Sequence, residues 1–250
     1  MFERAHHRRI ATVLQALDAQ RLQASACYFG GGTAIALRHG EYRESVDIDF
    51  LVSDLGGYRQ LRQWLTGPDG LAAITRPASV LTLAREVRAD QYGLRTLLLV
   101  DGEAIKFEIV LEGRITLDTP GAADAVCGVS TLTPLDNLAT KLLANSDRWR
   151  DSAAFSRDLI DLAMLAPARP LLQKALDKAG AAYGPSVQAD LTQAIKHLQD
   201  RPDRLDRCMQ AMGITTLSRA QLWQRIKRLA GAQRRVAPKP QPKPKPTPTP

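Results

Sequence analysis

Two aspartates that alternate with apolar residues are the clearest chemical signal in this sequence. In the run VDIDFLV, one residue separates Asp47 from Asp49, and apolar residues occupy every second position from Val46 to Val52. This alternation predicts a strand whose acids project from one face. Two such carboxylates can jointly hold a divalent cation, as phosphoryl or nucleotidyl transfer requires. For an isolated pair, a solvated strand face is the alternative.

A third carboxylate normally completes such a site from a neighbouring strand. RTLLLVDG and EAIKFEIVLEG read as two strands, and Asp101-Gly102 between them is a strong hairpin signal. Alternation in the second strand places Lys106 and Glu108 on the face away from the core. Glu108 is therefore the candidate third acid, whereas Lys106 can be an ordinary surface lysine with a packed aliphatic stem.

A glycine-rich segment lies about fifteen residues before the two aspartates. Gly31 and Gly32 end the short predicted strand in ACYFGGG, and Thr33 is predicted to cap a helix over TAIALRHG. Glycines at the start of a helix let backbone amides approach a triphosphate. An ordinary tight turn is the alternative. The sequence has no G-x-x-x-x-G-K-[ST] motif, which excludes a P-loop nucleotidase or kinase.

The composition favours a compact enzyme that attracts polyanions. The 250 residues are 44% hydrophobic, enough for one or two cores, and the net charge of +8 suits nucleotides or nucleic acid. Five of these charges lie in residues 234–250, which contain no acid, so the remainder carries only +3. At 5% aromatic content, an extended stacking surface for single-stranded nucleic acid is not evident.

The cysteines and the apolar runs favour a cytoplasmic protein. Cys27, Cys127 and Cys208 lack the paired spacing of a zinc site, and their odd number suits a reducing compartment. The first twenty residues lack the apolar run of a signal peptide, and no stretch of about 18 apolar residues occurs. We therefore predict no membrane association.

The pattern of apolar residues divides the chain into three parts. Strand-like and helical segments alternate up to about residue 130, and only helical patterns follow. The last residues, VAPKPQPKPKPTPTP, are low in complexity and rich in proline. We predict a core over residues 1–130, a helical domain over 131–233 and a disordered, basic, proline-rich tail over 234–250.

The segment GGTAIALRHGEYRESVDIDF as a whole resembles the first motif of the DNA polymerase β-type nucleotidyltransferase superfamily. Its details are similar to the abortive-infection (AbiEii/AbiGii) nucleotidyltransferase toxin family. This resemblance implies an α+β fold with a small mixed-sheet nucleotidyltransferase core and a C-terminal helical domain. The positions that match the family motif are Gly31, Gly32, Thr33, Ala34, Leu37, Gly40, Arg43, Ser45, Asp47 and Asp49.

A second stretch fits the same family. Lys141 is followed seven residues later by Arg148, and then by RDLIDL, which contains Asp158 and Asp161. The resemblance implies that Lys141 reaches the nucleotide phosphates and that one of the two aspartates supports the reaction, with Asp161 preferred. From the residues alone, Lys141 can be an exposed helix lysine, and Arg157 can form an i,i+4 surface pair with Asp161.

The family resemblance implies transfer of a nucleoside monophosphate from an NTP, with pyrophosphate leaving. The expected metal is Mg²⁺, with Mn²⁺ as the alternative, on Asp47, Asp49 and Glu108. Lys141 and Asp161 complete the catalytic set. The expected nucleotide-binding residues are Gly31, Gly32, Thr33, Arg43, Ser45, Lys141 and Asp158.

Arg43 has two interpretations, a phosphate contact or a structural pairing with Asp47 or Glu44. The expected acceptor is RNA, with the tRNA 3′ end first, and a cognate antitoxin protein is the expected partner. Two other classes stay open. One is a non-catalytic relative that binds RNA or a partner, and the other is a helical interaction protein whose α/β half is a scaffold.

Deleting residues 236–250 should leave both the melting temperature and any enzymatic activity unchanged. The deleted stretch contains almost no apolar side chain to bury, and its prolines disfavour helix and central strand. Thermal unfolding and activity of the truncated and full-length chains, measured side by side, check this. A loss of the cooperative transition on truncation would contradict it.

Overall fold

The computed structural model describes residues 2–231 of the chain, and the tail predicted over 234–250 lies outside them. None of the described helices combines the length and apolar character needed to cross a membrane. The α-helices of this part are α1 (Ala5–Ala16), α2 (Ala19–Ala24), α3 (Gly31–Arg38), α4 (Leu55–Thr66), α5 (Pro134–Arg148), α6 (Arg157–Leu165), α7 (Arg169–Tyr183), α8 (Ser186–Gln199), α9 (Pro202–Ala211) and α10 (Arg219–Gly231).

Five strands form one mixed sheet in the order β1-β2-β5-β4-β3. The neighbours β2 and β5 are parallel, and the other neighbours are antiparallel. This sheet with its surrounding helices confirms the predicted α+β class. The strands are β1 (Cys27–Gly30), β2 (Ile48–Val52), β3 (Thr82–Ala89), β4 (Gly93–Val100) and β5 (Glu103–Leu111), and a separate small hairpin joins β6 (Ala125–Val126) to β7 (Val129–Ser130).

The hairpin predicted at Asp101-Gly102 is present and joins β4 to β5. Val100 pairs with Glu103, and both turn residues have positive φ, 50° for Asp101 and 80° for Gly102. A two-residue turn with this backbone matches the twist of the flanking strands. The strand β3 was not predicted from the sequence. Its first five side chains are all exposed, so its sequence lacks the apolar alternation that marks a half-buried strand.

The strand that carries Asp49 rests on a core of aromatic rings. Phe50 lies between Phe29 and Phe107, with ring centroids 5.4 and 5.7 Å apart. Ile48 and Phe50 are fully buried, as the alternation predicted. Val46 is a correction, because β2 begins only at Ile48 and Val46 is 48% exposed in the loop before it.

The helices after residue 130 pack against the first half of the chain. Thr133 caps α5, since its side chain accepts a hydrogen bond from the amide of Asp136. The core of these helices also includes Tyr28, Ile35 and Tyr42 from the earlier part of the chain. The boundary near residue 130 stays a prediction, since residues from both sides of it contribute to this core.

Phe50→Ala should lower the free energy of unfolding by about 3–5 kcal/mol, since it removes the middle ring of the stack and leaves a cavity. Chemical denaturation measures the change. Val80→Ala is the matched control, because Val80 is 91% exposed and should change stability by at most about 0.5 kcal/mol. A loss from Phe50→Ala no larger than the control's would contradict the assigned core.

Candidate active site

A cavity of about 550 Å³ brings together residues that are far apart in the sequence. Its wall is formed by the start of α3, the loop before β2, the strands β2 and β5, and the helix α5. Of the residues singled out from the sequence, the cavity is lined by Gly31, Gly32, Arg43, Ser45, Asp47, Asp49, Glu108 and Lys141. The remaining ones, Thr33, Asp158 and Asp161, are buried behind this wall.

Asp47 and Asp49 are carboxylates that have no partner within the described part of the chain. Asp49 lies on β2 and Asp47 just before it, and both are partly buried. Among residues 2–231, neither carboxylate accepts a hydrogen bond or lies within ion-pair distance of a cation. Burial, together with the charges of Asp47 and Glu108, raises the pKa of Asp49 to about 6, although Lys106 and Lys141 oppose this in part. The site therefore holds negative charge that a cation in the cavity would stabilise.

Glu108 is adjacent to these acids but is already paired. The parallel register places it beside Asp49 on the neighbouring strand β5. Its carboxylate lies 2.8 Å from Lys106 Nζ and 3.2 Å from Arg95 Nε. In the described residues, no three acidic, histidine or cysteine side chains converge on one point as a preassembled metal site. The carboxylate oxygens of Asp47 and Asp49 are the donor type that a hard divalent cation prefers. Glu108 has the same donor atoms and is the third candidate ligand, and Lys106 and Arg95 neutralise its charge.

The helix α3 begins at Gly31, two residues earlier than predicted. Gly30 is the N-cap residue, and Thr33 lies inside the first turn, so the predicted capping role of Thr33 is wrong. Gly31 has a φ of +68°, and a Cβ atom there would lie 2.5 Å from Asp49 Oδ2. Only glycine allows the helix to begin this close to the carboxylate. The unpaired amides of the first turn thus lie beside the two acids.

Arg43 pairs with Asp161 rather than with Asp47 or Glu44, which corrects the pairing considered from the sequence. Its Nε and Nη2 atoms donate to Asp161 Oδ1 and Oδ2 over 2.7 and 2.9 Å. The side chain of Glu44 makes no such contact, and only its backbone oxygen accepts a bond from Arg43. The guanidinium crosses directly over Gly32, where a Cβ atom would lie 1.9 Å from Nη2.

The hydroxyl of Thr33 faces the protein interior. Thr33 is 1% exposed, and its Oγ1 atom donates to the backbone oxygen of Asp47 over 2.5 Å. It also lies 2.8 Å from Ser45 Oγ. The expected contact of this hydroxyl with a phosphate does not fit the geometry, because its hydrogen bonds fix the start of β2 instead.

Lys141 belongs to a buried ion cluster at the back of the cavity. Its Nζ atom lies 2.6 Å from Asp161 Oδ2 and 3.0 Å from Asp158 Oδ1. Arg148 donates twice to Asp158, over 2.6 and 2.9 Å, and Tyr42 donates to Asp161 over 2.6 Å. Lys141 is thus no exposed surface lysine, since only 8% of its side chain is accessible.

Both aspartates of the cluster are ionised and enclosed. Burial alone would raise the pKa of Asp158, but Lys141 and Arg148 hold it well below its usual range. Burial also opposes ionisation of Asp161, and the charges of Arg43 and Lys141 lower its pKa nevertheless. Neither carboxylate lines the cavity. Their geometry is that of residues that hold Lys141, Arg43 and Arg148 in place.

Sequence reasoning missed part of the cavity wall. Phe155 and Ala154, in the connection between α5 and α6, line the cavity together with Met212 after α9. The segment RWRDSAAFS shows no periodicity that would predict its structure. Its one possible signal was Phe155, a large apolar residue among small and polar neighbours.

The comparisons with known proteins agree with this fold. A family model described as nucleotidyl transferase AbiEii toxin, type IV TA system, matches residues 12–234. None of the curated proteins matches the chain. The solved structure of JHP933 from Helicobacter pylori is 16% identical, with 93% of this chain and 91% of that one covered and a TM-score of 0.54, which shows a shared fold. A second H. pylori structure, described as a candidate nucleotidyltransferase, is 18% identical, with 91% of each chain covered and a TM-score of 0.49.

Asp161→Asn should lower the free energy of unfolding by about 3–5 kcal/mol near pH 7, because it leaves Arg43 and Lys141 buried without their shared counter-charge. The folded-state pKa of Asp161 is depressed, so its contribution to stability is present above the unfolded-state pKa of about 3.9 and is lost as the pH falls. The difference between variant and wild type should therefore be constant above about pH 5 and shrink below about pH 4.

Denaturant unfolding across this pH range measures the effect of Asp161→Asn. Asp147→Asn is the matched control, since Asp147 also pairs with an arginine, Arg114 at 3.1 Å, but at the surface. Its effect should be at most about 1 kcal/mol. Equal losses from the two variants would show that the buried cluster is not formed as described.

Proposed function

The chain belongs to the AbiEii nucleotidyltransferase toxin family of type IV toxin–antitoxin systems, and from that premise we propose that it transfers a nucleoside monophosphate from an NTP to an RNA acceptor. The observation that carries this proposal is that Asp47 and Asp49, whose carboxylates are unpaired among the described residues, share one cavity with the start of α3, where Asp49 lies against Gly31. Lys141 shares the cavity with them. Nucleotidyl transfer needs this combination of groups. The acids can bind the metal, and the lysine and the helix amides can bind the polyanionic substrate.

The triphosphate is proposed to lie at the start of α3. The backbone amides that follow Gly31 have no partner within the helix, and the helix dipole favours negative charge at this end. Gly31 and Gly32 carry no side chain of their own, so the Asp49 carboxylate and the Arg43 guanidinium lie directly over the start of this helix. Lys141 contributes a positive charge to the same cavity, held in one position by Asp158 and Asp161. Arg43 and Ser45 also line this part of the cavity.

Asp47 and Asp49 would hold Mg²⁺, or Mn²⁺ in its place, and Glu108 is the third candidate ligand. When bound, the metal would supply charge neutralisation at the phosphates and acidify the attacking hydroxyl. The proposed reaction forms a bond between that hydroxyl oxygen and the α-phosphorus. The bond from the α-phosphorus to the pyrophosphate oxygen breaks, the hydroxyl proton is released and pyrophosphate leaves. The residues of the chain bind the nucleotide and hold Lys141 beside the phosphates that gain charge.

RNA is the proposed acceptor, and the 3′ end of tRNA is the first species to test. The net charge of +8 favours association with a polyanion. At the cavity itself, Arg148 and Arg157 add positive charge beside Lys141. Membership in a type IV toxin–antitoxin family implies an antitoxin as functional partner. A protein or small-molecule acceptor would give a different product in the same assay.

Asp49→Asn and Asp47→Asn should each reduce nucleotide transfer at least about 100-fold, because each removes a charged metal ligand without changing side-chain size. The purified proteins are incubated with each α-labelled NTP, Mg²⁺ and total RNA, and the label is followed into RNA, protein or neither. Asp101→Asn is the matched control, because Asp101 is 77% exposed in the hairpin turn and does not line the cavity. It should retain wild-type activity.

The same variants test the toxin activity in a bacterial host. Expression of the wild type and of Asp101→Asn should slow growth, and Asp49→Asn should not. Near-normal transfer by Asp49→Asn would contradict the catalytic assignment. Transfer by the wild type without any effect on growth would leave the enzyme assignment intact and contradict the choice of an essential acceptor. Label in protein alone would contradict the RNA acceptor.

A further inference from the structure

The loop between α5 and α6 exposes a large aromatic residue and buries a small one. Asp151 caps a short 3-10 turn over Ser152–Ala154, with its carboxylate accepting from the amide of Ala153 over 2.8 Å. Ala154 is 4% exposed, whereas the next residue, Phe155, is 41% exposed. Hydrophobic burial alone would favour the reverse arrangement, since a phenylalanine gains far more from burial than an alanine. The loop therefore places Phe155 at the cavity at the expense of burial.

The backbone of this loop is also strained. Phe155 and Ser156 are both in the left-handed region, with φ values of 49° and 52°. Neither residue is glycine, asparagine or aspartate, the types that tolerate this region best. Strain of this kind persists where surrounding structure enforces it, and it is concentrated at ligand-binding sites. Here the Ser152–Ala154 turn on one side and the start of α6 on the other enforce it.

The cavity that Phe155 lines offers both charged and apolar side chains. The charged ones include Asp47, Asp49 and Lys141. The apolar ones are Val46, Phe155 and Met212 together with Ala153, Ala154 and Ala211. A nucleoside triphosphate needs both kinds, since it has a polyanionic chain at one end and a flat base at the other. The volume of about 550 Å³ lies within the range of small-ligand sites, about 300–1,000 Å³.

We propose that Phe155 stacks on the base of the incoming NTP and so sets the affinity for the nucleoside end of the substrate. The inference rests on the proposed function, since it places the triphosphate at α3. The base of the incoming NTP is favoured over a base of the acceptor, because Phe155 shares one cavity with the triphosphate site. An aromatic face accepts any base, so Phe155 provides affinity rather than selection among the four NTPs.

Equilibrium binding without acceptor tests this role. Calorimetry with Mg²⁺ measures the affinity of the full-length protein for each of the four NTPs and for inorganic tripolyphosphate, which lacks base and ribose. Phe155→Ala should weaken NTP binding at least about fivefold, as the loss of one base–aromatic stack predicts. Phe155→Trp and Phe155→Tyr, which keep a ring, should bind NTPs nearly as wild type does. All four proteins should bind tripolyphosphate equally.

Two further variants serve as controls. Tyr92→Ala removes another exposed aromatic, 64% accessible and outside the cavity, and should change neither affinity. Phe155→Gly also removes the ring but permits the left-handed backbone, so its melting temperature should exceed that of Phe155→Ala by about 2–4 °C. A lower melting temperature for the glycine variant would contradict the loop geometry on which the inference depends.

Three outcomes would overturn the role of Phe155. Unchanged NTP binding by Phe155→Ala would show that no base stacks there. Equal weakening for NTP and tripolyphosphate would show that the ring only supports the loop. A rise confined to the KM for RNA in the transfer assay would assign the ring to the acceptor. A wild-type protein that binds none of the four NTPs would instead overturn the proposed function, and this inference with it.

Discussion

The ion pair between Arg43 and Asp161 determines how the cavity is assembled. It joins two residues 118 positions apart, one in the loop before β2 and the other on α6. Asp161 also holds Lys141 of α5, so the three parts of the chain that form the charged wall meet at one carboxylate. Burying these charges costs several kcal/mol per ion, and the attraction between them offsets this only with good geometry. Removing one partner is therefore costly, because it leaves the remaining charges buried without compensation.

The position of the guanidinium explains the glycines at the start of α3. Asp161 fixes Arg43 by accepting two hydrogen bonds from its guanidinium. The guanidinium passes over Gly32 so closely that a side chain there would collide with it. Gly31 is required for a separate reason, its positive φ and its contact with Asp49. A glycine pair that looks like a phosphate-binding motif thus also meets two packing constraints. The glycines keep the start of the helix free of Cβ atoms, and the Asp49 carboxylate and the Arg43 guanidinium occupy the space over them.

These long-range constraints mark the limit of what the sequence could predict. The strands β2 and β5 and the turn at Asp101-Gly102 followed from local alternation and turn chemistry, which depend on neighbouring residues. The edge strand β3 was missed because most of its side chains are exposed, so its sequence shows no apolar alternation. The partner of Arg43 could not be found by local rules, since those rules consider acids nearby in sequence and Asp161 lies on a distant helix. The start of α3 was misplaced because the rule for Thr33 as a cap ignores its inward bond to Asp47.

The charges around the cavity are balanced unevenly. The paired acids belong to the buried supporting cluster, whereas the unpaired acids are available for chemistry. In the buried cluster, three cations, Arg43, Lys141 and Arg148, face two carboxylates, so one positive charge is in excess beside the cavity. At the sheet, Lys106 and Arg95 neutralise Glu108, whereas Asp47 and Asp49 have no partner among the described residues. In a fold selected for stability alone, Asp47 and Asp49 would each be paired with a cation, as Asp158 and Asp161 are. Burial first, and then the charges of Asp47 and Glu108, raise the pKa of Asp49. The unpaired acids preserve a site for a cation, and the excess positive charge of the cluster favours an anion in the same cavity.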